Sequence, residues 1–532
     1  MTNRRRRGAV VAVPVVASMA LMLAACGSGS NGTATVAEQP PAAVAATVNT
    51  QAANTNAAPA GAAAPTNAAP AAAAQTTTSS AVAAPAAKAA PAKVVKAAAA
   101  AQKPVAKTAK AAAAVPAKGA AGIHAIDNAA QAAANQQVYD QKNGATDVGV
   151  TKDSIKTGAI NMHGMALGNV VIGPISRGMV GAFSAINDRG GVLGRRLQYV
   201  DCDDGPGEVS RAKACIKKLV GQDKIFAMLG GASWATASIH DDLKQNGVPY
   251  VGTWAYSQTE WQDPYMFPTH MSMIHEAMAG AHWAVNVIHP KTYGLICLTS
   301  PEMQLACNNV AKVMDASGAK MVKRADVAIS ETSMSAYVLA MRAAAPEHII
   351  HYVINPATIA KFLVESAQQG YYPPKGISGN HLAGELVGSL IGKWPEGRYW
   401  TNTTYKLWGA EFMATMNKYA RGNQGLNHHI VQAGYVGANV FALAAKAVGP
   451  NLTRARLMAQ LSNGDVYASD ASMDQRFSWA RTERSGDNWS HDNGQGREFM
   501  YKYNSSNTVA NPDGSPNGFA PDPNQFVVHT NE

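Results

Sequence analysis

The segment that most constrains this chain runs from Gly158 to Arg196. GAINMHGMALGNVVIGP, residues 158–174, ends a short apolar run in a Gly-rich loop, and AFSAINDRGGVLGRR, residues 182–196, carries a helix into a second strand. Ile172, Ile175, Met179, Phe183 and Ile186 recur at three- and four-residue steps, so one face of that helix is buried. Pro174 suits a first helical turn, and Gly190-Gly191 suits a left-handed stop. Strand, loop, helix and strand in this order make a β-α-β unit of an open parallel sheet. Such sheets bind ligands at their strand-end loops. Met162 and His163, at the end of the first strand, are therefore pocket-rim candidates.

The same alternation continues. Strands are expected at 154–160, 197–202, 225–229 and 248–252, with helices at 172–188, 209–220 and 235–245 between them. A second series starts after Met266-Phe267-Pro268, with strands at 293–298, 321–328, 348–354, 375–378 and 398–403. Its helices are expected at 275–287, 303–316, 335–344, 357–369 and 382–391, followed by long ones at 408–419 and 429–447. Two such series imply two similar α/β lobes with parallel sheets. From Asn463 the chain is rich in polar and turn residues and reads as irregular, with short strands.

The segment before the lobes has another character. Arg4 to Arg7 precede an apolar run, Gly8 to Leu23, too short for an ordinary membrane span. Residues 1–26 read as an export signal, and Leu23-Ala24-Ala25-Cys26 resembles the lipobox of bacterial lipoproteins. The implied event is lipidation of Cys26 and cleavage before it. At roughly 0.8 kcal/mol per buried methylene, several acyl chains anchor firmly. Residues 27–140 are mostly Ala, Pro, Thr, Val and Lys, too poor in large apolar side chains to bury a core. They read as a disordered tether, with an average reach of roughly 60 Å as a flexible coil.

The charge follows the same division. Residues 1–126 hold four arginines and seven lysines against Glu38 alone, which accounts for the whole formal charge of +10. The lobes thus carry no basic excess that would favour nucleic acid. The four remaining cysteines form an even set, which favours disulfides in an exported protein. Each pair joins a strand end to the next helix, so Cys202–Cys215 and Cys297–Cys307 are the natural pairings, with four buried thiols as the alternative.

GVTKDSIKTGAI, AINDRGGVLGRRLQYVDCDDG, KKLVGQDKIFAMLGG and NGVPYVG, in that order, resemble the type I periplasmic binding proteins. The resemblance is to the leucine/isoleucine/valine-binding branch, the substrate-binding subunits of ABC importers, and runs from about Asp147 to about Gly464. It implies two Rossmann-like lobes joined by three crossover hinges, closing on a ligand between them. Lobe one would comprise 147–269 and 403–462, and lobe two 270–402 and 463–532. The crossings would fall near 267–273, 399–405 and 461–471.

The resemblance also implies site residues. The loop after the third strand, where relatives offer a serine to the ligand carboxylate, contains Ser233, with Trp234 at the aligned position. The next loop, Ala-x-Thr in the family, is Ala255-Tyr256-Ser257 here and follows Trp254. In lobe two Met303 replaces the family tyrosine, and Glu385, beside Asn380 and His381, is the nearest candidate for an acid that meets a ligand ammonium. The rings of Trp234, Trp254 and Tyr256 fit a larger or flatter ligand than valine.

Enzyme chemistry finds no footing. The glycines near Gly164 and Gly168 make neither a dinucleotide fingerprint nor a P-loop, and no GxSxG elbow occurs. Asp201, Asp203 and Asp204 read as a polar strand exit, and His428-His429 as surface or cap residues. No cofactor or metal is expected. The expected protein is a monomeric, lipid-anchored receptor on the outer face of the cell membrane. It captures a small polar or aromatic molecule, an amino acid, amide or related solute, and delivers it to ABC permease and ATPase subunits. The alternative is an anchored sensor or adhesion protein of the same fold. Cys26→Ala is expected to release the protein from membranes, as fractionation would show; retention on the membrane would refute the anchor.

Overall fold

The computed structural model describes residues 144–164, 173–353, 355–382, 387–388, 391, 393–395, 397–420, 428–470, 477–479 and 499–504, with short strand segments at 123–125, at Thr482–Glu483 (β13) and Trp489–Ser490 (β14), and at 519–521. All belong to one compact unit, Ala106–Glu532. Cys26, Glu385 and most of the expected helix at 382–391 lie outside the described residues.

The first sheet holds β2 (Ser154–Asn161), β3 (Arg196–Asp203), β4 (Ala227–Leu229), β5 (Tyr250–Val251) and β6 (Met266–Phe267), in the order β3-β2-β4-β5-β6. Every pairing in it is parallel. Helix α1 (Pro174–Asp188) buries Ile175, Met179, Phe183 and Ile186, the face expected from the periodicity. Proline occupies its first turn, and Gly190 and Gly191 follow with positive φ. Helices α2 (Val209–Lys217) and α3 (His240–Asn246) cover the sheet as well, α3 being entered through a tight 3-10 turn at Thr236–Ile239. A further short helix, α4 (Gln258–Gln262), follows β5 and has no counterpart in the sequence reading.

The second sheet is built from β7 (Thr292–Leu298), β8 (Lys320–Val327), β9 (His348–Tyr352), β10 (Ile377–Asn380) and β11 (Tyr399–Thr403), all parallel. Beyond β11 it gains β15 (Phe499–Tyr503) and β16 (Phe519–Pro521), each antiparallel to its neighbour. Its helices are α5 (Met273–Trp283), α6 (Pro301–Ala316), α7 (Ser335–Ala344) and α8 (Pro356–Gln368). Ser300 and Asn355 cap α6 and α8 through side-chain oxygens, and proline opens both helices. The core around Trp283, Tyr293, Leu295 and Ile350 is fully buried. Cys202 pairs with Cys215 and Cys297 with Cys307, with Cα atoms 5.7 Å and 6.2 Å apart.

The chain then returns to the first sheet. Helices α9 (Ala410–Tyr419), α10 (His428–Val448) and α11 (Arg454–Leu461) follow β11, and α9 and α10 pack on α1. The helices α1 and α10 touch backbone to backbone: a Cβ on Gly178 would lie 1.7 Å from the Val431 carbonyl oxygen, and one on Gly434 would lie 1.9 Å from that of Ile175. Arg195, fully buried, donates to the carbonyls of Thr151, Gly144 and Pro450 at 2.9 Å each, which ties the lobe's start to the end of α10.

Two assignments from sequence need correction. Ile123–Ala125, β1, lies inside the stretch read as tether to residue 140, yet pairs in parallel with β12 (Val466–Ala468). The reason is visible in GIHAI, where Ile123 and Ile126 interrupt the Ala/Pro/Lys composition. The stretch assigned to lobe two from 463 onward first stays with the first lobe: Phe412 N donates to Asp470 at 2.9 Å, and β12 contacts α10. Only with β15 does the chain enter the second sheet.

Gly434→Ala is expected to destabilise the protein by at least about 1–3 kcal/mol in urea unfolding, because the clash is with backbone that cannot rotate away. A neutral substitution would show that the two helices move apart freely.

Candidate ligand-binding cleft

The carboxyl ends of β2, β4 and β5 each run into a loop, and these loops form one wall of a cleft. Met162 comes from the first, Ala232, Ser233 and Trp234 from the second, and Trp254 and Tyr256 from the third. Leu382, just past β10 of the second sheet, lines it from the other side. The space holds roughly 360 Å³, part of it open to solvent. Among the described residues the lining carries no charged side chain. The strand-end position is where a parallel α/β sheet leaves its backbone ends unoccupied.

Of the residues expected from sequence, Met162, Ser233, Trp234, Trp254 and Tyr256 come together here. His163 stands beside the cleft, paired through Nε2 with Asp201 at 2.9 Å. Burial pushes the Asp201 carboxyl up, but hydrogen bonds from His163, Asn161 and Ser176 outweigh it and hold the group below its ordinary value. Asn161 also accepts the amide of Ala232 at 3.1 Å, so the first two loops are wired to each other. Met303 is fully buried near the start of α6 and is not among the residues lining the cleft. Ala255 and Ser257, in the third loop itself, are buried and are not among the residues lining the cleft.

The third loop has a specific cause. Ala255 adopts positive φ, 54°, rare for a residue with a side chain. The turn aims three successive amides at Glu260: Ala255 N at 3.0 Å, Tyr256 N at 3.1 Å and Ser257 N at 3.2 Å. Ser257 and Glu260 form the capping box of α4. Glu260 is buried, and that burial, opposed by the amides, pushes its carboxyl up to about 7. In the second loop the Ser233 hydroxyl donates to Asp204 and accepts from Ala235 N at 2.9 Å. Asp204 is fully buried, and its carboxyl is pushed up to about 6 by burial, against the Ser233 bond and with help from the charge of Asp203.

Tyr256 reaches across to the second lobe. Its hydroxyl donates to Ser300 Oγ at 3.0 Å, and Ser300 is the cap of α6. Trp254 leads inward instead, stacking on His270 with ring centroids 4.4 Å apart. His270 and His429 lie 5.5 Å apart, and His381 and His429 5.7 Å apart, all fully buried. His429 Nε2 lies 2.7 Å from Thr403 Oγ1, His381 meets Thr401, and His270 Nε2 faces Glu276 at 3.8 Å. His429 is thus a core residue and not the surface or cap residue expected; its neighbour in α10, Ile430, is buried too, so this helix enters the core from its first turn. The cluster sits on the crossovers themselves. Met271 N donates to Thr404 Oγ1 at 3.0 Å, the Tyr405 hydroxyl to Thr269 O at 3.1 Å, and Trp479 Nε1 to Pro268 O at 2.8 Å.

Comparison with known proteins agrees with this architecture. A family model described as periplasmic binding protein matches residues 171–490. The chain belongs to that family. No curated protein sequence matches it significantly. Among solved structures, the fatty acid ABC transporter substrate-binding protein from Thermomonospora curvata is similar with a TM-score of 0.60 and 15% identity, over 72% of this chain and 95% of that one. A solute binding protein of an ABC transporter from Rhodopseudomonas palustris, in complex with 3,4-dihydroxybenzoic acid, gives 0.56 and 17%, over 70% and 97%. LivJ from Streptococcus pneumoniae, a branched-chain amino acid transporter substrate binding protein in complex with isoleucine, gives 0.54 and 18%, over 66% and 97%. The periplasmic binding protein fold, with its two lobes and a cleft between, is therefore shared.

The buried groups set a pH dependence. Burial lowers His270 and His348 to about 4, His351 to about 3 and His429 well below its ordinary value. Between pH 5 and 6.5 these four take protons on unfolding and weaken the fold as pH falls. Asp204 and Glu260 act in the opposite sense, because they hold protons in the folded state that they release on unfolding. Four groups outweigh two, so stability should fall on acidification across this window, by at most about 3 kcal/mol per pH unit. Urea midpoints at pH 5 and 6.5 check this; a flat or inverted profile would show that the rings are not held neutral.

Proposed function

We propose that this chain is the extracytoplasmic solute receptor of an ABC importer. It binds one small polar or aromatic molecule between its lobes and presents the closed form to permease and ATPase subunits. The observation that carries the reading is the convergence of Met162, Trp234, Trp254 and Tyr256 on a strand-end cleft of a periplasmic binding protein, with the second lobe in reach at Ser300 and Leu382. The similar structures named above are described as transporter receptors, which favours delivery over sensing or adhesion. Export, a lipid anchor at Cys26, a monomeric state and a binding role without catalysis complete the proposal.

The mechanism follows from the geometry. Rings on the first lobe cover a flat ligand face, and the second lobe adds contacts only when it approaches. A ligand that touches both lobes therefore shifts the population toward the closed form by its differential affinity for it. The Tyr256–Ser300 bond contributes to the same closed form without ligand. Bound helices and strands on each side stay rigid, and the residues between β6 and α5 and between β11 and α9 absorb the hinge motion.

Titration of the full chain in detergent with amino acids, amides, ureas, aromatic acids and sugars should reveal a one-to-one ligand. At a hundredfold excess over Kd that ligand adds about 2.7 kcal/mol of stability by mass action. Trp234→Ala should weaken its binding at least tenfold. Binding unchanged in this variant would make Trp234 a bystander, and no stabilisation by any class would sink the receptor reading.

A further inference from the structure

The first lobe's wall of the cleft is already supplied with carboxyl groups from within. An amide-rich loop and a serine hydroxyl at strand ends are the groups that would hold a ligand carboxylate. Here the amides of Ala255, Tyr256 and Ser257 converge on the Glu260 carboxylate, at 3.0 Å, 3.1 Å and 3.2 Å. The Ser257 hydroxyl is turned to the same group, with its oxygen 3.4 Å from Glu260 Oε1. The Ser233 hydroxyl has one proton, and it goes to Asp204. Glu260 and Asp204 are both buried directly behind the residues that line the cleft. Their carboxyl groups thus occupy the donor sites that a ligand acid would need and, at pH 8, also place negative charge at its approach.

The surroundings reinforce this. Glu302 acts on the Tyr256 hydroxyl electrostatically from the second lobe, together with Glu260. Asp201 and Asp203 lie at the end of β3, where His163 is their neighbour. None of the seven described lining residues is a lysine, arginine or histidine. What the lining does offer is Met162, Ala232, Leu382 and three aromatic rings.

We infer that the cleft discriminates against carboxylates and takes a neutral solute with a flat or apolar body, because Asp204 and Glu260 fill the carboxylate-holding positions of its two aromatic loops. The inference rests on the receptor reading and names the class of solute. It sets this chain apart from the similar proteins solved with isoleucine and with 3,4-dihydroxybenzoic acid, both carboxylic acids.

Matched pairs test it. Benzamide and benzoate, phenylacetamide and phenylacetate, and isovaleramide and isovalerate are titrated calorimetrically into the full chain at pH 8. At least one amide should bind at least tenfold more tightly than its acid. An acid that binds as tightly as its amide, or more tightly, overturns the inference while leaving the receptor reading intact. In Glu260→Gln and Asp204→Asn the gap should narrow at least threefold in one variant, with circular dichroism confirming the fold. A gap unchanged in both folded variants overturns the assignment to these carboxylates. Should either variant fail to fold, the wild-type pairs still decide. No binding by any of the six compounds also overturns the inference, while the receptor reading then stands or falls on the wider titration of solute classes.

Discussion

The contact on which this architecture depends is the backbone-to-backbone approach of α1 and α10. A helix more than two hundred residues downstream returns to the first sheet and seats itself on the first helix of the fold. It can do so because Gly178 and Gly434 remove the side chains that would otherwise hold the axes apart. Gly230, Gly252 and Gly437 extend the same close approach to the ends of β4 and β5. Without it, α9 to α11 would have no surface to cover, the first lobe would end at β6, and the chain would cross between sheets once. The discontinuous lobe, and hence the hinge made of several crossovers, follows from that packing.

The second organising feature is polar wiring behind an apolar cleft. Met162, Trp234, Trp254 and Tyr256 present carbon to the cleft, while Asp201, Asp204 and Glu260 orient the loops from behind. Burying a carboxylate is costly unless donors satisfy it, and each of these has them. Partly ordered networks of this kind fix loop conformation more sharply than apolar packing alone does. The histidines at the crossovers follow the same logic: neutral rings pack against Trp254 and Tyr405 and still accept or donate a hydrogen bond. The cleft wall and the hinge are thereby in direct contact, through the stack of Trp254 on His270.

Much of this was legible from residues. The period of Ile175, Met179, Phe183 and Ile186 gave the buried face of α1, and strand-helix spacing placed the parallel strands of the two main sheets within a few residues, apart from the two-residue β6. Ser257-x-x-Glu260 is a capping box in plain sight and marks both α4 and the partner of the Ala255–Ser257 loop, but a five-residue helix carries too little periodicity to stand out between stronger patterns. His429 misled because adjacent histidines at a helix start resemble a solvent-facing cap; its partners, Thr403 and the rings of Trp254 and His270, come from three separate stretches of chain. Leu382 and Ala232, which line the cleft, carry no distinguishing sequence signal at all.

Local order, then, was written in the sequence: helices and strands follow from periodicity, caps and glycine stops, and the cysteine pairs from their spacing along one strand-helix step. These depend on residues within about fifteen positions of each other, where chain geometry leaves few choices. The tertiary structure decided what those elements enclose. That the Ser233 hydroxyl turns to Asp204, that the amides after Ala255 turn to Glu260, and that three distant histidines meet at the crossovers are outcomes of burial. A polar group excluded from water takes whichever partner the packing brings within reach, and no one-dimensional pattern records that choice.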